Sequence, residues 1–223
     1  MEKVIILGGK GIAAIASWIM DRRGDAEVFG LINDTIPAGE FIGMKKKMKV
    51  IGTSEDVEKY IVETDYKFFI AFHGMKREKE VYEKIKGFHI PEERLYSPVD
   101  PTAVIAEDYS AIGKGILVAP YAQIGPDVVI GDNTVVLGNA FIGHDSKIGE
   151  FCHIGANAVI GSFNELGNAC HIGMNATLRE YVKVGNYALI GMGSVVLKNV
   201  EENTIVAGNP ARLLDRKLGI KEK

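Results

Sequence analysis

An aliphatic residue recurs every six positions from Ile112 to Val196, fifteen times in succession without a slip. Glycine follows it in eleven of the fifteen hexads, and two positions before it stands a mostly small side chain such as Ala122, Thr134, Ser146, Cys152 or Cys170. A period of six matches neither the α-helix nor a meandering sheet with its irregular turns. It fits a short strand, a corner and a repeat, with three hexads closing one triangular coil of eighteen residues. The aliphatic fills the prism interior, the small residue fits near a corner, and the glycine is expected to tolerate the backbone of the turn. Fifteen hexads make five coils, a solenoid about 24 Å tall at the usual strand spacing.

Glycine is the one compositional outlier, 26 of 223 residues against roughly 7% in average usage, and the hexads account for much of it. The balance of 26 basic against 29 acidic residues argues against a nucleic-acid binder or a polybasic membrane-surface protein. Cys152 and Cys170 both take the small inward position, eighteen residues apart, and are expected as stacked buried thiols rather than a disulfide framework or a metal site. The apolar stretch Val4–Met20 is broken by Lys10 and a glycine cluster, and no small-residue cleavage site follows it. It therefore reads as a strand and a helix, not a signal peptide or membrane span, and a cytoplasmic location is expected.

Residues 1–98 alternate short strands and helices: Lys3–Leu7, a helix over Ile12–Arg22, Val28–Asn33, Val50–Gly52, a helix capped by Thr53 or Ser54, Lys67–Phe72, and a charged amphipathic helix through Val81, Tyr82 and Ile85. Arg94–Val99 is expected to close the unit. This alternation implies a small Rossmann-like α/β domain with a parallel sheet, followed by an all-β parallel helix over 99–223. Ligands of such a sheet sit at the carboxyl ends of its strands, here the GGKG turn, Asn33-Asp34 and His73-Gly74.

Four of the five histidines bear on function or register. His153 and His171 each precede an aliphatic by one position, so they point outward and stack one coil apart. His144 stands at a corner and is followed by Asp145. A lone surface histidine is usually only solvated, but a carboxylate beside it can orient the imidazole and raise its basicity. A three-histidine zinc site, as some triangular solenoids hold, is the rival. His144 and His153 are nine residues, half a coil, apart, so they converge only between neighbouring subunits, and acidic and glutamine partners for a metal are not evident. No metal is expected. If the two histidines serve one pocket, that pocket lies between two solenoids, which a cyclic homotrimer supplies.

The hexads, the closing AGNPAR of Ala207–Arg212, and the preceding strand-helix domain opening on a glycine turn resemble one group of hexapeptide acyltransferases. These are the nucleotide-amino-sugar N-acetyltransferases of the UDP-N-acetylbacillosamine pathway type, with the sialic-acid O-acetyltransferases of the same architecture. The resemblance implies a left-handed β-helix and acetyl transfer from acetyl-CoA by direct attack, in the service of a surface glycan. It implies His144 as general base and Asp145 as its orienting carboxylate. It places His153 against the acetyl donor from a neighbouring subunit, and the backbone amides of Ser162, Met174 and Met192 against the thioester and pantetheine. His171 receives no role. The nucleotide-sugar positions read Lys10-Gly11-Ile12, Asn33-Asp34 and His73-Gly74 here, and all three depart from the family pattern. Asn33 can still accept from a base or ribose, Ile12 removes a polar contact, Lys10 can supply charge to a phosphate, and His73 narrows the pocket or stacks on a base. The reading is an N-acetyltransferase of a nucleotide-linked amino sugar. Its alternatives are a sugar or sialic-acid O-acetyltransferase and a non-catalytic solenoid binding module.

Overall fold

The computed structural model describes residues 1–73 and 78–214. They divide into two compact units, Met1–Pro101 with Lys114–Ala119, and Thr102–Gly113 with everything described from Pro120 onward. Among the described residues no helix is long and apolar enough to cross a membrane.

The first unit is a five-stranded sheet with helices. Its elements are β1 (Glu2–Leu7), α1 (Ile12–Arg23), β2 (Ala26–Ile32), β3 (Phe41–Ile42), β4 (Met48–Gly52), α2 (Val57–Glu63), β5 (Lys67–Ile70) and α3 (Glu78–Lys86). The sheet order is β3-β4-β2-β1-β5, parallel throughout except for the antiparallel β3–β4 pair. Val4 to Leu7 of β1 are fully buried because strands of a parallel sheet are covered on both faces. Ile5, Leu7, Ile32, Val57 and Phe68 form one core cluster. Gly24 ends α1 in the left-handed conformation, its amide bonding Met20 O at 2.8 Å. Thr53 and Asp56 form a capping box, but the first turn they cap is a 3₁₀ turn, Ser54–Asp56, ahead of α2. The pair β3 was not expected, since two residues carry no periodic signal. Where Arg94–Val99 was expected to close the unit, a 3₁₀ turn at Glu92–Arg94 and a bridge between Leu95 and Phe68 are found.

The second unit is a left-handed parallel β-helix of two-residue rungs on three faces. Partners lie eighteen residues apart, as the hexad count requires: Ile130 pairs with Ile148, Ile148 with Leu166, and Leu166 with Val184. The second face runs Phe141, Val159, Thr177 and Val195, and the third includes His153, His171 and Leu189. The solenoid begins one rung before the hexads, where Val104–Ile105 pairs with Gln123–Ile124. It ends on Ile205–Ala207, which makes a short antiparallel turn with Arg212–Leu213 across a cis Asn209–Pro210 bond.

Two features of the repeat differ from the expectation. The left-handed residue of each corner is not the glycine after the aliphatic but the third residue after it, including Asp127, Asn133, Asn139 and Asp145, with φ near +57° to +59°. The post-aliphatic glycine answers a steric demand instead. A Cβ on Gly131 would lie 2.6 Å from Glu150 N, and one on Gly155 2.6 Å from Met174 N. The corner amide of the next coil passes where a side chain would stand. The small residue before each aliphatic does more than fit. Thr134 and Ser146 donate to the carbonyls of Gly149 and Gly161 at 3.0 and 3.1 Å, and the Cys152 and Cys170 thiols donate to Gly167 and Gly185 at 3.1 Å. Both thiols are buried and stacked, as expected, and burial pushes the Cys152 thiol well up.

Candidate active site

The corner after Ile142 carries His144 and Asp145. Asp145 takes the left-handed conformation, φ +59°, which acidic residues tolerate better than most. In this geometry its Oδ2 stands 2.6 Å from His144 Nδ1. Both side chains face solvent, at 50% and 44% exposure, so a second molecule can reach the ring. A carboxylate at Nδ1 favours the tautomer with its proton on that nitrogen, which leaves the Nε2 lone pair free to accept. Across the imidazole stands Phe163, one coil on, with ring centroids 5.1 Å apart and planes at 85°.

His153 and His171 stack as the register predicts, with centroids 4.5 Å apart and planes within 3° of parallel. They are half-buried. Burial, with the neighbouring His171 charge, pushes His153 down to about 3, and burial pushes His171 down to about 4. Both rings are therefore neutral at physiological pH. His144 and His153 belong to different faces of the solenoid, and one chain does not bring them together. Among the described residues no group of three or more His, Cys, Asp or Glu is placed to hold a metal.

Ser162 lies one coil above His144 on the same corner, while Met174 and Met192 occupy the corner after Ile172 and Ile190. Their amide nitrogens sit 2.7, 2.6 and 2.6 Å from where side chains of Gly143, Gly155 and Gly173 would stand. The third corner is built differently. There Asn168 Oδ1 caps the amide of Glu150 at 3.0 Å, and Asn186 Oδ1 caps that of Asn168 at 2.8 Å. Among the described residues the amides of Ser162, Met174 and Met192 carry no such cap, so these two corners keep donors that can meet an oxygen-rich ligand. A Gly-Asn step at one corner is the sequence signal of the difference.

The first unit has a cavity of about 300 Å³ lined by Gly8, Gly9, Asn33, Ala71, Phe72, His73 and Val81. It lies at the carboxyl ends of β1 and β5. The chain proceeds from β1 outward to β2 and β4, then returns to place β5 on the other side of β1, so this is the switch point where such sheets bind ligands. Gly8 needs its φ of +136° and also room, since a Cβ would meet Ala71 Cβ at 3.0 Å. Of the residues expected here, Asn33 and His73 line the cavity and Lys10, Gly11, Ile12 and Asp34 do not; Gly74 lies outside the described residues. Lys10 is exposed, and Gly11, with φ +59°, turns the chain into α1 at Ile12. Asn33 is not the acceptor it was expected to be. Its Oδ1 already receives Thr35 N, Thr35 Oγ1 and Ile36 N at 2.9–3.0 Å, which leaves Nδ2 as the group beside Gly9. Asp34 accepts Ser54 N at 2.7 Å and Lys84 Nζ at 2.6 Å. Burial raises its carboxyl, but these partners outweigh it and leave the value below the ordinary one. Gly8 and Gly9 belong to the GGKG turn expected to meet a ligand, whereas Phe72, at the end of the expected fourth strand, was not singled out.

Residues 109–144 match the family model described as bacterial transferase hexapeptide (six repeats). The match covers the first hexads of the solenoid. No curated protein matches the chain. Among solved structures it is similar to PerB from Caulobacter crescentus, in complex with CoA and GDP-perosamine, at 21% identity over 96% of this chain and 98% of that one, TM-score 0.81. It is similar to the acetyltransferase domain of PglB from Neisseria gonorrhoeae FA1090, at 22% identity over 96% and 100%, TM-score 0.82. WeeI from Acinetobacter baumannii AYE follows at 19% identity over 96% and 100%, TM-score 0.77. The chain thus shares its α/β-then-β-helix fold with these proteins over nearly its whole length.

Proposed function

We propose that the protein is an acetyl-CoA-dependent N-acetyltransferase acting on the amino group of a nucleotide-linked amino sugar. The observation that carries this reading is the His144–Asp145 pair, 2.6 Å apart on an exposed corner of a hexapeptide solenoid. An ammonium has no lone pair, so an amino sugar reacts only after losing a proton, and in this reading Nε2 of His144 takes it. Asp145 holds the ring in the accepting tautomer and stabilises the imidazolium that forms. Bound acetyl-CoA supplies an activated acetyl carbon. The uncapped amides of Ser162, Met174 and Met192 suit the carbonyl oxygens of such a donor, and neutral His153 can contact it without charge. Because His144 and His153 lie on different faces, the reading includes a homotrimer in which a neighbour's His153 completes the site.

Support for the acceptor comes from the switch-point cavity and from PerB, whose structure holds CoA and GDP-perosamine. In the cavity Asn33 Nδ2, Phe72 and His73 would meet the nucleotide. Such an enzyme would act in the cytoplasm and feed a surface glycan. The test is release of free thiol from acetyl-CoA with a panel of UDP-, dTDP- and GDP-amino sugars. Release with at least one amine is expected. Release with hydroxyl acceptors alone would make it an O-acetyltransferase, and failure to bind CoA by calorimetry would make it a binding module.

A further inference from the structure

The corner that carries His144 sets two aromatic rings in succession against the imidazole. Its left-handed positions run Asp127, Asp145, Phe163 and Tyr181; the corner bearing Met174 and Met192 has Tyr121 and then Asn139, Asn157, Asn175 and Gly193 at the same register, and the third corner also has aromatics there, Phe151 and Tyr187. Asparagine and glycine are the residues that tolerate left-handed backbone; bulky aromatics are strained there. Phe163 has φ +59° and Tyr181 φ +60°. Burial does not compensate, because they are 39% and 68% exposed. The two rings stack face to face, centroids 4.8 Å apart and planes within 1°, and Phe163 meets the His144 ring perpendicularly at 5.1 Å. Tyr181 thus backs Phe163, and Phe163 backs the imidazole.

We propose that Phe163, supported by Tyr181, is a positioning residue that fixes the plane of the His144 ring. Asp145 restrains the imidazole at one atom, Nδ1, and a single hydrogen bond leaves rotation of the ring about its side-chain bonds. Perpendicular aromatic packing removes that freedom. The exposed ring then waits for substrate with Nε2 already aimed, which is where a misaligned base loses rate. The proposal rests on the reading of His144 as a base, and its test separates the two.

The variant is Phe163→Asn, which installs the residue favoured at this register elsewhere and so should fold at least as stably as the wild type. With protein labelled by ¹⁵N-histidine, and the His144 signal assigned by its absence in His144→Ala, the wild-type ring should hold its proton on Nδ1. In Phe163→Asn that population should fall towards a mixture of tautomers. In the thiol-release assay kcat should drop about tenfold with both KM values within about twofold, Phe163→Tyr should restore it, and Tyr181→Asn should give a smaller loss. An unchanged His144 signal, or kcat kept within about twofold, overturns the proposal. A shifted signal in a protein that transfers acetyl to no acceptor sustains the positioning and overturns the proposed activity instead.

Discussion

Asp145 does two things at once: it takes the left-handed corner and it holds His144 by Nδ1. Asp145→Asn separates them, since asparagine keeps the corner, loses the charge and can donate to Nδ1, so that Nε2 carries the proton. The expected result is a fall in kcat of about 10–100-fold with little change in either KM, and a thermal midpoint near that of the wild type. At this scale the sequence carried the adjacency of His144 and Asp145 but not all of their contacts. His144-Asp145 was legible because the two are adjacent and the register put them at a corner. Phe163 was not, because nothing in a hexad says that a corner eighteen residues on will turn a ring towards the imidazole. Asn33 was legible as a cavity residue and misjudged as an acceptor, because its own turn, through Thr35 and Ile36, consumes the oxygen.

At the scale of elements the repeat was legible almost entirely, since a six-residue period admits one kind of coil. What escaped lay where the period breaks. Ile105 precedes Ile112 by seven residues, not six, so the first rung, Val104–Ile105, falls out of register with the count. The role of the glycines was also hidden, because close approach by the next coil cannot be told from a turn requirement in one dimension. The distinction is measurable: Gly155→Ala, whose Cβ would stand 2.6 Å from a backbone nitrogen, should destabilise by about 1–3 kcal/mol. Gly138→Ala, with its nearest contact at 3.2 Å, should do clearly less, with chemical denaturation reading both. The histidine stack gives a pH signature. His153 at about 3 and His171 at about 4 both lie below the ordinary 6.5. As pH falls, the unfolded chain takes up these protons first, so the stack's contribution is full above about 6.5 and is lost towards 3. A His153→Gln, His171→Gln double variant should therefore lose less stability than the wild type between pH 6.5 and 4; equal slopes would contradict the buried, neutral pair.

For the whole molecule, the fold follows from joining an alternating strand-helix segment to a hexad run, and both halves announce themselves. The division expected at 98/99 is less simple than that, because Lys114–Ala119 groups with the first unit, an exchange that linear reading does not contain. Assembly belongs to this scale as well. Half a coil separates His144 from His153, so a site using both needs copies around an axis, and sedimentation equilibrium should return about three times the 24.3 kDa chain mass. A monomer at assay concentration would remove His153 from the site while leaving His144 in place.

The base is the centre of the account, and one comparison bears on it most directly. With the best acceptor of the nucleotide-amino-sugar panel, His144→Asn should lower kcat by at least about 100-fold while the KM for acetyl-CoA stays within about threefold. A His144→Asn protein that keeps more than about a tenth of the wild-type kcat would contradict the claim that this imidazole takes the proton from the attacking amine.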